Sequence, residues 1–186
     1  MVHRVTLISW RAPWGATPIA LVHGRIAGIA LDGSGMALVA ATERRLSRGA
    51  PLRSTGPIRT AAAARALLDA TLQRSLPARK LLAACDLRGL ADFDVAVLRA
   101  IARVPHGATA TYGEIAAAIG SPRAARAVGG ALGRNPIPVL LPCHRVVAAA
   151  GIGGYGGAAG SRWRPGGEAP LDFKRRLLQR EGVSAA

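Results

Sequence analysis

Two adjacent residues hold the chemistry most open to reading in this chain: Cys143 and His144, in the run Pro142-Cys143-His144-Arg145. A thiol attacks an electrophile only as its thiolate, and a nearby base or positive environment favours that form. His144 is the obvious base. Neighbouring residues rarely face each other in regular structure, so a bridging water would carry the proton between them. The competing reading is a buried structural cysteine with a histidine beside it by chance. A papain-like pair is excluded, because it needs a histidine well after the cysteine and none occurs beyond residue 144.

A second constellation precedes the cysteine. Residues 123–132 read as a helix of small residues and arginine, with Ala124, Ala125, Ala127, Gly129 and Gly130 leaving its surface nearly bare. A major-groove reader carries long polar side chains to base edges. A bare helix instead allows close backbone approach, which suits the minor groove and a protein indifferent to sequence. Arg126 stands alone there as a long cation able to enter the base stack and hold the space of an extruded nucleotide. Tight packing of small residues against a neighbouring helix would produce the same composition. Chemistry on a base in duplex DNA needs that extrusion and a pocket with aromatic or apolar walls. Tyr112, Pro138 and Tyr155 are candidate walls, and the Tyr112 hydroxyl can also donate to a leaving purine.

Composition agrees with a polyanion partner. The chain has 186 residues, with 25 basic against 10 acidic, a formal net charge of +15. Such a field favours nucleic acid over membrane, although the abundance of Arg, Ala and Gly also follows from GC-rich coding. The apolar fraction of 50% is ample for a core, which excludes the disordered class. The two cysteines, Cys85 and Cys143, form neither a disulfide framework nor a CxxC pair. A cytoplasmic protein is expected, since neither a signal peptide nor a run of membrane-spanning length is visible.

These residues need elements to hold them. The first third reads as β-structure: a strand at 5–10, and a hairpin pairing 18–22 with 26–31 across His23-Gly24-Arg25. Residues 44–58 read as a polar connector, and 60–76 as a helix that Pro77 helps to end. A domain boundary is placed near residue 88, giving an α/β domain over 1–88 and a DNA-binding and catalytic domain over 89–186. Asp92 is expected to cap a helix running through residue 103. Thr111 and Glu114 form a capping box for a helix over 112–119. Ser121 and Pro122 are expected as N-cap and first residue of the helix over 123–132. Helix, short turn and helix make a helix-turn-helix pattern. The apolar run 137–141 then delivers Cys143, a glycine-rich stretch and an irregular loop follow, and a helix over 171–181 comes last.

Four of these segments resemble one family. Thr111-Tyr112-Gly113-Glu114-Ile115-Ala116, Ala124-Ala125-Arg126-Ala127-Val128-Gly129-Gly130-Ala131, Asn135-Pro136-Ile137-Pro138 and Pro142-Cys143-His144-Arg145-Val146-Val147 are similar, in order and spacing, to the O6-alkylguanine-DNA alkyltransferases. The likeness runs from about residue 90 to 157 and again from 171 to 182; residues 1–88 match more loosely. It implies an α+β protein: an N-terminal small antiparallel sheet with a helix, RNase H-like, and a mostly helical, winged helix-turn-helix-like C-terminal domain carrying the cysteine. It implies Cys143 as alkyl acceptor, His144 as water-mediated base, and Glu181 as the group that orients His144. Tyr112 would assist nucleotide rotation and hydrogen-bond the guanine, Arg126 would be the finger, and Asn135 would hold the turn before the cysteine. Ala124, Ala125, Ala127, Gly129, Gly130 and Arg134 complete the expected DNA-facing set, and Pro138, Tyr155 and Lys174 the pocket. The implied reaction is a single, irreversible transfer from O6-alkylguanine in double-stranded DNA, by a monomer that needs no cofactor; O4-alkylthymine stays open as a second substrate.

The sequence departs from that family at Asp94 and Leu98, where Gln and Trp are common, so this helix should pack differently. Residues 158–170 look inserted, and Glu181 and Lys174 are placed across them by the Lys174-Arg175-Arg176-Leu177-Leu178 match. His3, His23, Cys85 and His106 lack ligand spacing, so no metal is expected. Two other readings share parts of this pattern: a non-catalytic protein that binds alkylated lesions, and a helix-turn-helix transcription regulator. The acceptor cysteine speaks against the first, and the missing base-reading side chains against the second.

Overall fold

The computed structural model describes residues 4–50, 55–155 and 164–184. Strands β1 (Thr6–Ala12), β2 (Gly15–Val22) and β3 (Arg25–Ile29) form an antiparallel sheet in chain order. The β2–β3 hairpin turns through His23 and Gly24, both at positive φ (48° and 71°), as a two-residue turn matched to strand twist requires. Trp10 is buried on β1, and its indole N–H donates to Asp69 (2.7 Å) on α2 (Ala61–Gln73), tying sheet to helix. Thr60 caps α2 by accepting from the Ala63 N–H.

The polar connector expected at 44–58 is partly wrong, and so is the reading of the first third as β-structure alone. Gly35–Leu46 is a helix, α1. Its buried positions include Thr42 and Arg45 beside Leu46, so its inward face does not show the apolar period that announces a helix. Arg45 earns no solvent; its guanidinium donates to the carbonyls of Ala27 and Arg88. Gly28 lets α1 lie close against β3, since a Cβ there would stand 2.6 Å from Leu38 Cδ1. A further short helix, α3 (Ala78–Ala84), begins directly after Pro77.

The second half is helical, with α4 (Asp92–Ile101), α5 (Tyr112–Ala118), α6 (Ala125–Gly133) and α7 (Pro170–Arg180). Ala91, not Asp92, is the N-cap of α4; Asp92 and Asp94 occupy its first turn, where negative charge favours the helix dipole. The capping box of α5 is present as expected, with Thr111 accepting from the Glu114 N–H and Glu114 accepting from the Thr111 N–H. Ser121 and Pro122 do not cap α6. They form a separate turn in which the Ala124 N–H donates to the Ser121 carbonyl (2.9 Å), and the helix starts at Ala125. A parallel pair, β4 (Ala110–Thr111) with β5 (Val146–Val147), fastens the start of α5 to the chain just past the cysteine. One apolar cluster runs from Trp10 and Ile19 through Leu98 and Ile101 to Leu140 and Phe173, so sheet and helices share a core. Among the described residues, no helix is long and apolar enough to cross a membrane.

Candidate active site

Cys143 opens a single 3-10 turn, Cys143–Arg145, that also presents His144 and Arg145, and all three side chains are buried. The approach to this turn is built by Asn135. Its side-chain carbonyl accepts from the Ile137 N–H (3.0 Å), and its amide donates to the Leu141 carbonyl (2.9 Å). These bonds close a loop in which Val139 stands at φ 72°, a region a β-branched residue enters only under outside constraint.

Behind the turn lies Glu181. The His144 Nε2–H donates to Glu181 Oε1 (2.8 Å), and Arg145 donates through Nε to Oε2 (2.9 Å) and Nη2 to Oε1 (3.0 Å). The Gly107 N–H adds a donor to Oε2 (3.2 Å), and Arg145 Nη1 holds the Val104 carbonyl (2.8 Å). Glu181 reaches this place because α7 ends in a Schellman motif. The Val183 N–H donates to the Leu178 carbonyl and the Gly182 N–H to Gln179, with Gly182 at φ 77°. A carboxylate only accepts, so Nε2 carries the imidazole proton and Nδ1 presents a lone pair. Among the described residues Nδ1 has no partner, which leaves it available to take a proton.

The electrostatics fit a resting neutral pair. Burial raises the Cys143 thiol above its ordinary value, against the lowering influence of the Asn135 and Tyr155 side chains and the Lys174 charge. Burial lowers His144, against the raising influence of Glu181. Burial would raise Glu181, but the hydrogen bonds from His144 and Arg145 prevail and hold it down at about 2. The carboxylate is therefore charged throughout the physiological range and ready to stabilise an imidazolium.

Lys174 lies behind the pocket wall. Wholly buried, it donates to the carbonyls of Val146 (2.6 Å), Ile152 (2.7 Å) and Gly154 (3.1 Å). It thereby straps the 146–154 segment to α7, and burial lowers it to about 8. Tyr112 donates to the Gly154 carbonyl (3.1 Å) and packs near Gly129 and Gly153. Burial raises Tyr112, keeping its hydroxyl a donor. The Tyr155 hydroxyl stands 3.8 Å from Cys143 Sγ. Tyr112, Arg126, Gly129, Gly130, Cys143 and Tyr155 wall a cavity of about 600 Å³. Arg126 and Ala127 on α6 are exposed, while Ala124 and Ala125 at its start are half-buried. Arg134 lines this same cavity, exposed and held in a two-bond ion pair with Asp94 (2.7 and 2.9 Å), whereas Pro138 borders a different cavity that also reaches Cys143. The departure at Asp94 thus links α4 to the end of α6.

Sequence reasoning missed Arg145 as the second partner of Glu181; its only signal was a charged residue in an otherwise buried run. It also missed the contribution of α1 to the surroundings of the cysteine. Among the described residues no three His, Cys, Asp or Glu side chains gather as a metal would need; His3 and residues 158–163 of the expected insertion lie outside the described residues.

The profile of the 6-O-methylguanine DNA methyltransferase DNA-binding domain matches residues 92–183. The Mycobacterium tuberculosis OGT solved in complex with DNA is 30% identical, with a TM-score of 0.62 over 93% of this chain and 90% of that one. The chain belongs to the 6-O-methylguanine-DNA methyltransferase family. The O6-methylguanine-DNA methyltransferase of Pyrococcus kodakaraensis strain KOD1 matches with a TM-score of 0.66 at 27% identity, over 97% of this chain and 100% of that one. By sequence, a methylated-DNA–protein-cysteine methyltransferase of Mycobacterium tuberculosis is 56% identical over 97 residues, 52% of this chain and 51% of the relative. One from Methanosarcina acetivorans is 47% identical over 92 residues, 49% and 51% of the two chains. In these alignments the chain spans about half the length of the curated relatives it matches. The profile match over residues 92–183 contains the cysteine turn, and the likeness in fold extends over 97% of the chain.

Proposed function

We propose that this protein repairs DNA by moving the alkyl group of O6-alkylguanine irreversibly onto Cys143. The observation that carries this reading is the join between a nucleotide-sized cavity and Cys143, backed by the His144–Glu181–Arg145 chain. His144 Nδ1 takes the thiol proton, through a bridging water, while Glu181 stabilises the resulting imidazolium. The thiolate sulfur forms a bond to the alkyl carbon as the bond from that carbon to O6 breaks. The electron pair of that bond stays on the purine, where the Tyr112 hydroxyl stabilises it by a hydrogen bond; the purine takes up one proton from solvent as the imidazolium gives back the one it took from the thiol. The thioether has no leaving group, so each molecule acts once and needs no cofactor.

Residues 89–186 form the DNA-binding and catalytic domain in this reading, and 1–88 an N-terminal α/β domain, with the profile match over 92–183 in support. The Ala and Gly face of α6 enters the minor groove, and Arg126, on the rim of the cavity, fills the space of the extruded nucleotide. The protein works as a monomer in the cytoplasm on double-stranded DNA. Incubation with duplex carrying O6-methylguanine should add one methyl mass to the peptide holding Cys143, and Cys143→Ala should abolish demethylation. Full demethylation of the DNA with an unchanged peptide mass would overturn the reading.

A further inference from the structure

A surface helix normally turns polar residues away from the core, and α2 does not. Ala64, Leu68 and Thr71 form its buried side. Ala63, Ala66, Leu67 and Ala70 form another row at the spacing of one helix face, of which only Leu67 touches the core. That row and α3 wall a groove of about 420 Å³, with buried Ile58 and Ala84 lining its base. The two ends of the groove differ. Residues 74–77 join α2 to α3, and Arg74 and Lys80, on either side of that turn, line the groove there. Both are exposed, and among the described residues neither takes part in an ion pair. No carboxylate lines the groove. The acid of α2, Asp69, is turned to the sheet, where it accepts from the Trp10 indole. From Ala70 toward Ala63 and Pro57 the lining carries no charge at all.

We propose that this α2–α3 groove binds a small amphipathic carboxylate, its anionic head between Arg74 and Lys80 and its alkyl chain along Ala70, Leu67, Ala66 and Ala63. An anion placed between the two cations relieves their mutual repulsion. Ala63 and Ala70 lie about 10 Å apart along the helix, the span of a medium-length alkyl chain. Both ends are needed to choose the occupant. A nucleic-acid backbone would meet the cations and leave the apolar row in water; a neutral apolar molecule would do the reverse. A mostly apolar cavity with a few charged groups at one end is the form that small-molecule sites take. The groove shares no lining residue with the cavity at Cys143, so the proposal stands apart from the alkyl-transfer reading.

Octanoate, titrated into the intact chain by calorimetry, is the probe. It should bind saturably at one site. Octanol, which lacks the charge, should bind about tenfold or more weakly, the worth of a charge-assisted bond, and octyltrimethylammonium should not bind. Each methylene added between hexanoate and octanoate should tighten binding by up to about fourfold, the transfer of that group out of water. Arg74→Ala and Lys80→Ala together should weaken octanoate by about tenfold or more and leave octanol unchanged. Ala66→Trp fills the groove from an exposed position and should remove binding of both. Thermal melts report that each variant has folded, and Ala63→Trp repeats the test if Ala66→Trp does not fold. Octanoate that fails to bind saturably overturns the proposal. So does an affinity indifferent to head-group charge, to chain length or to the two cations, and so does binding that survives in a folded Ala66→Trp protein.

Discussion

Glu181→Gln is the substitution whose outcome the site specifies in most detail. The carboxylate accepts four hydrogen bonds, His144 Nε2 and Arg145 Nη2 on Oε1 and Arg145 Nε and the Gly107 N–H on Oε2. Glutamine replaces one oxygen by an amide nitrogen, which donates where a bond was accepted. With the nitrogen at the Oε1 position, the His144 and Arg145 Nη2 bonds are lost; at the Oε2 position, the Arg145 Nε and Gly107 bonds are lost. Either way two bonds go, and the buried Arg145 cation loses its counter-charge. Breaking a buried pair from one side costs about 3–5 kcal/mol, which for a chain of this size lowers Tm by roughly 10 °C. The effect on transfer is separate: losing a charge-assisted bond worth about 1.5–3 kcal/mol to the imidazolium slows the reaction by about 10- to 100-fold.

The pH profile separates chemistry from scaffolding. In the wild type, Glu181 sits at about 2, below its ordinary 4.5, so its stabilisation is complete above the ordinary carboxylate value and disappears as pH falls through 2. Glu181→Gln should therefore flatten the acid limb of the stability curve. His144 is lowered by burial, so wild-type transfer should persist below pH 6.5. The rate deficit of the variant should shrink toward alkaline pH, where thiolate forms without the base. Single-turnover rates from pH 5 to 10 with parallel thermal melts would read both effects. A variant that melts lower but keeps the wild-type rate at every pH would refute the role of Glu181 in proton transfer.

Asn135→Ala leaves the Ile137 N–H unpaired, reduces the Leu141 carbonyl to its bond from the Cys143 N–H, and releases the loop that holds Val139 at φ 72°; a loss of about 1–3 kcal/mol should appear in the denaturant midpoint, with transfer slowed at least in proportion, and an unchanged midpoint would contradict the account. Arg126→Ala should slow transfer from duplex DNA by about tenfold or more while leaving transfer from the free base O6-benzylguanine nearly intact, because only the duplex needs its base stack filled. Equal losses on both substrates would remove Arg126 from that role.

What the sequence determined by itself lies within short stretches of chain. The capping box of α5 and the β2–β3 turn each close through hydrogen bonds within a few residues, so residue type and spacing were enough to read them, while the Asn135 turn, equally local, was implied by the family resemblance. The Cys143-His144 pair was legible for the same reason. Tertiary structure alone decided what those residues face. Glu181 meets His144 from 37 positions away in sequence, and only the packed end of α7 with its Schellman turn aims it there. Arg145 showed no role until its partner arrived from the same helix. The α1 helix stayed hidden because its inward face carries Thr42 and Arg45, whose polar groups find partners only in the folded protein, so the apolar period that marks a helix was absent. Local bonds are written in neighbouring residues; a cavity beside a thiol exists only when distant elements pack around it.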